Sequence, residues 1–134
     1  MAYRPSVRLC LSISFGFSIL AASPSDTPGI AGTWRGRSVC VTDAATCHNE
    51  EVIYYIKEVP DRADVVFIQA DKLVDGKAVT MGAGEWQHDR KQQTLEWSTP
   101  KQVWLLKIAG DRIEGTLTLA DKTIFRKMTL KKDK

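Results

Sequence analysis

The links between apolar runs constrain this sequence most: between residues 33 and 131, none reaches a dozen residues. Parallel neighbours in a sheet need crossovers at least that long, so each run must turn back beside the one before it. Pro60-Asp61-Arg62, Asp75-Gly76, Thr99-Pro100-Lys101, Gly110-Asp111 and Asp121-Lys122 cut the chain into short runs rich in β-branched and aromatic residues. Asp75-Gly76 is the sharpest of these breaks, because both residues tolerate the positive φ of a two-residue hairpin turn. Eight strands are predicted, at 33–41, 51–59, 63–74, 77–87, 93–98, 102–109, 112–120 and 123–131. The third run also tolerates a helical reading, but Val65-Val66-Phe67-Ile68 and the Asp-Gly that follows favour a strand. Gly82 and Gly84 predict a bulge or a close backbone approach in the fourth strand. An eight-stranded meander leaves two open edges unless its first and last strands meet, and closure removes both. The expected fold is all-β, a single small antiparallel meander closing into a barrel of about eight strands.

Alternation assigns the inward face of each strand. Ile113, Leu117 and Leu119 share one phase, as do Trp104, Leu106 and Ile108. In the last strand Ile124, Met128 and Leu130 share a phase, and Arg126 falls on it with them. An inward guanidinium is expensive unless it is paired or stacked, so Arg126 needs a partner. If the barrel closes, the first strand lies beside the last, and Trp34 offers its indole face for a cation–π contact. Gly32-x-Trp34 on the first strand, with a late-strand arginine over the tryptophan, resembles the lipocalin or wider calycin pattern. The resemblance implies a closed barrel over 30–131, with Trp34 and Arg126 as its structural closed-end pair. Two features depart from that pattern: there is no second Thr-Asp-Tyr-type motif, and no room for a helix after the barrel.

The chain opens with Arg4 and Arg8, then 14 residues from Leu9 to Ala22 that are apolar or small, then Ala21-Ala22-Ser23. That order is the pattern of a secretory signal peptide, and the run falls short of the roughly 20 residues of a membrane-spanning helix. Residues 1–23 are read as the signal, 24–29 as a flexible leader and 132–134 as a basic, solvated tail. The expected location is periplasmic or extracellular, with no membrane span left after cleavage. Of the 19 basic residues two leave with the signal, so 17 face 16 acidic ones and the net charge falls to about +1. No basic field for nucleic acid remains. Cys40 and Cys47 are then the two remaining cysteines, and in an exported small domain they read as a disulfide. The rival, a metal site of Cys40, Cys47 and His48, has unfamiliar ligand spacing and no fourth ligand nearby.

Catalysis finds little support. His48 and His88 lie in polar loops outside any nucleophile motif. Glu50 and Glu51 are adjacent, so on a strand they point to opposite faces and cannot act as a facing carboxylate pair. No phosphate-binding or dinucleotide fingerprint occurs, and no cofactor is expected. Binding is better motivated, because an eight-stranded barrel either fills with side chains or holds one small ligand. Tyr54, Trp86, Trp97 and Trp104 are the expected walls of such a pocket, with Trp86 and Trp97 a cross-strand pair near one rim. The leading expectation is a non-catalytic barrel that binds a small apolar ligand. The alternative is a protein-interaction or inhibitor module, acting on another exported protein through the disulfide-pinned 40–50 loop.

Overall fold

The computed structural model describes Gly16 and residues 29–134 of the chain. Apart from Gly16 and Gly29, the expected signal peptide and leader lie outside the described residues. The eight strands are β1 (Gly32–Cys40), β2 (Glu50–Val59), β3 (Arg62–Val74), β4 (Lys77–Asp89), β5 (Thr94–Thr99), β6 (Gln102–Ala109), β7 (Arg112–Leu119) and β8 (Ile124–Lys132). Each pairs antiparallel with its successor, and β8 returns to β1, so the sheet closes. The run that tolerated a helical reading is β3, the equal-longest strand with β4. At the β3–β4 turn Asp75 and Gly76 adopt φ of 53° and 78°, the paired positive values that suit the right-handed twist of flanking strands.

Closure depends on a close approach between β1 and β8. Gly36 lies opposite Leu130, and a Cβ there would stand 1.8 Å from the Thr129 carbonyl oxygen. Only glycine fits that crossing. Gly115 leaves similar room on β7, where an added Cβ would lie 2.4 Å from the Leu106 side chain.

The inward phases meet in one core. Trp34, Ile56, Leu95, Leu106, Ile113 and Leu130 are all almost fully buried and fill one end of the barrel. Trp34 is the plug: its indole N–H donates to the Ile30 carbonyl at 3.0 Å, which satisfies the ring's polar atom as the rest is desolvated.

The cation over Trp34 is not the expected one. The β1–β8 register sets Trp34 opposite Lys132 and Cys40 opposite Arg126. Six residues of strand therefore separate Arg126 from the tryptophan, about 20 Å at the usual rise. Lys132 sits instead with its ammonium 5.8 Å from the Trp34 ring centroid, and donates to the Gly29 carbonyl. The basic tail is correspondingly shorter than expected. Lys132 belongs to β8, and Asp133 is tied down by its N–H to the Thr33 carbonyl and by its carboxylate to Arg35 at 2.8 Å.

Candidate ligand cavity

The other end of the barrel is not filled. A cavity of about 480 Å³ opens there, walled by residues of β1 to β6 and β8. Tyr54, Trp86, Trp97 and Trp104, the four aromatic residues expected to form a pocket, all line it. Tyr54 points inward from the middle of β2 and is 3% exposed, and Trp86 is 7% exposed. Burial pushes the Tyr54 hydroxyl pKa up; the nearby Glu50 carboxylate adds to the shift and Arg126 opposes it. The phenol therefore stays neutral and can donate a hydrogen bond toward the cavity.

Trp86 and Trp97 meet as the alternation suggests, with ring centroids 6.2 Å apart and planes tilted by 33°. Their setting is less regular. β4 and β5 are joined only at Gln87–Glu96, His88–Leu95 and Asp89–Thr94. Beyond those three pairs the strands part, with the two indoles at the start of the split. Trp97 is 40% exposed as a result.

On the β4 side the wall is nearly bare. Gly82 and Gly84 line the cavity, and a Cβ added at either would meet nothing within 4 Å. Of the two expectations for these glycines, the bulge is present and the close approach is not. Ala70 pairs with Gly82 and Asp71 with Thr80, which leaves Met81 as the extra residue. Bulges at barrel rims re-aim side chains, and Met81 lines the cavity from this one.

The polar end of the cavity is built around Arg126. Its side chain is 12% exposed; Nη1 donates to the Ser38 hydroxyl at 3.0 Å and carbonyl at 3.3 Å, and Nη2 donates to the His48 carbonyl at 2.6 Å. Glu50 completes the group, with one carboxylate oxygen 3.9 Å from Nη2 and the other accepting from Lys72 Nζ at 3.2 Å. The requirement that an inward arginine be paired is met by these groups rather than by Trp34. Ser38 carries no catalytic motif and Glu50 fails as half of a carboxylate pair with Glu51, yet both sit on inward phases, four residues from Trp34 and Tyr54 respectively. Reading phase instead of residue class would have found them.

The Cys40–Cys47 disulfide is present and braces the loop over this polar end. The Cys40 N–H donates to the Asn49 side chain at 2.9 Å, and the Val41 N–H to the Phe125 carbonyl at 3.0 Å. His48 contributes its carbonyl to Arg126, while His88 lies at the end of β4 rather than in a loop. His88 Nδ1 is buried with no hydrogen-bond partner among the described residues, and burial lowers its pKa, with Arg90 adding to the effect. His88 borders a second, more open depression of about 610 Å³, rimmed by Asp64, Asp89, Arg90, Lys91 and Glu96. Charged groups of that kind stay solvated, so the aromatic cavity is the better ligand site. Among the described residues no three His, Cys, Asp or Glu side chains gather closely enough to hold a metal ion. No protein-family model matches the chain, and no match to it was found among curated proteins.

Proposed function

We propose that this protein is an exported carrier or sensor that binds one small, largely apolar ligand in its barrel cavity. The observation that carries the reading is the unfilled space between Gly82, Gly84 and the three indoles, in a barrel whose opposite end is fully packed. A volume of about 480 Å³ falls in the range that holds small organic ligands. The walls favour an apolar body that lies against Trp86, Trp97 and Trp104, with one polar end toward Tyr54, Ser38 and Arg126. The Cys40–Cys47 disulfide is compatible with an oxidising compartment and supports export. The interaction-module alternative has less behind it, because the exposed middle of the disulfide loop, Asp43 to Thr46, carries no large apolar side chain to anchor a partner.

Native mass spectrometry of the protein purified without detergent from its own host tests the proposal. A reproducible small adduct, lost on denaturation and absent from Gly84→Leu, is the expected result. A bare chain in every preparation, together with failure to take up any apolar probe, would sink it.

A further inference from the structure

The outer edge of β4 has no partner among the described residues for most of its length. β4 runs for 13 residues, but β5 pairs only with its last three, Gln87 to Asp89. From Lys77 to Ala83 every residue is exposed, Val79 by 45% and Met81 by 43%. A bare edge offers unpaired N–H and C=O groups to any other strand, and proteins usually guard it with charge or proline. Here both of those guards are missing, and the one irregularity on the strand is the bulge at Met81. Ala78 to Gly84 reads AVTMGAG, with neither charge nor proline, the longest uncharged run in any of the eight strands.

We infer that this edge is a self-association surface, on which two copies of the chain pair β4 against β4 about a two-fold axis. A second copy is the occupant the edge fits best, for three reasons. The same uncharged run on both sides brings no like-charge repulsion, which charged runs elsewhere in the barrel would. A two-fold axis makes one edge complementary to itself, so no other partner chemistry is required. The pairing also places the partner's strand beside the open cavity wall formed by Met81, Gly82, Ala83 and Gly84, covering the least protected part of the site. The inference concerns assembly and stands whether or not the cavity holds a ligand.

Sedimentation equilibrium on three forms of the protein tests it: wild type, Val79→Lys/Ala83→Lys and Val79→Glu/Ala83→Glu. Both substituted positions, Val79 and Ala83, are solvent-exposed, so far-UV circular dichroism should match throughout. The wild type is expected to reach twice the monomer mass as concentration rises. The lysine and glutamate forms alone should each stay monomeric, and their equimolar mixture should regain the doubled mass. A wild type that is monomeric throughout, as when another segment of the same chain covers the edge, overturns the inference. So does a dimer that survives the lysine substitutions, or a mixture that fails to pair.

Discussion

Gly36 and Gly84 both lie in the barrel wall, and substitution separates their roles. At Gly36 an added methyl group meets backbone of β8, which cannot rotate away as a side chain can. Gly36→Ala is expected to cost about 3 kcal/mol or to prevent folding, in line with overpacking at a rigid contact. Gly84→Ala meets open space and should leave stability within about 1 kcal/mol of wild type, or raise it by restricting the unfolded chain. Urea unfolding of the pair measures the contrast, and equal costs would refute the assignment of crossing and cavity. His88 gives a residue-scale pH effect. Burial holds its folded pKa below the ordinary 6.5, so above that pH its ionisation contributes nothing. As pH falls below about 6.5 the unfolded chain takes up the proton first and stability declines, until the folded pKa is passed. Melting temperature should therefore drop between pH 7 and 5, with a smaller drop in His88→Gln; identical profiles would contradict the role of His88. At this scale the aromatic lining was legible, because Tyr54, Trp86, Trp97 and Trp104 hold the inward phase whatever the pairing. The cation over Trp34 was not. Arg126, Met128, Leu130 and Lys132 share one phase, and only the stagger between β1 and β8 decides which of them reaches the tryptophan.

Among the elements, strand limits were readable to within two residues, because turn chemistry falls between every pair. How far two strands stay paired was less accessible. β4 and β5 are both continuous as sequence, yet they part after three pairs, and the split that exposes Trp97 follows from barrel geometry rather than from any local signal. Ser38 and Glu50 illustrate a related limit: each is an ordinary polar residue until closure brings β1, β2 and β8 to one point with Arg126. The disulfide loop is the element whose contribution is easiest to isolate. Cys40→Ser/Cys47→Ser should lose about 2.5 kcal/mol by the chain-entropy estimate for so short a loop. Because the loop also supplies the His48 carbonyl to Arg126, the double variant should weaken ligand uptake more than Gly84→Ala does. Full stability in the reduced and oxidised forms alike would show that the hydrogen bonds alone hold the loop.

For the molecule as a whole, one barrel combines two interiors. Around Trp34 large apolar side chains leave no room, and the closed end resists water by packing. Around Gly82 and Gly84 side chains are withheld, so the same sheet encloses space. Antiparallel order and closure were legible in the sequence, since short links and two unsatisfied edges leave few other solutions. Whether the interior was filled or hollow was not, because it depends on which inward positions face one another across the barrel. Titration with N-phenyl-1-naphthylamine, a neutral apolar fluorophore, tests the hollow end most directly. Wild type should enhance its emission saturably at one site per chain and quench its own tryptophan emission in step, while a folded Gly84→Leu should do neither. Equal binding by both proteins, or none by the wild type, would contradict a ligand cavity at this end of the barrel.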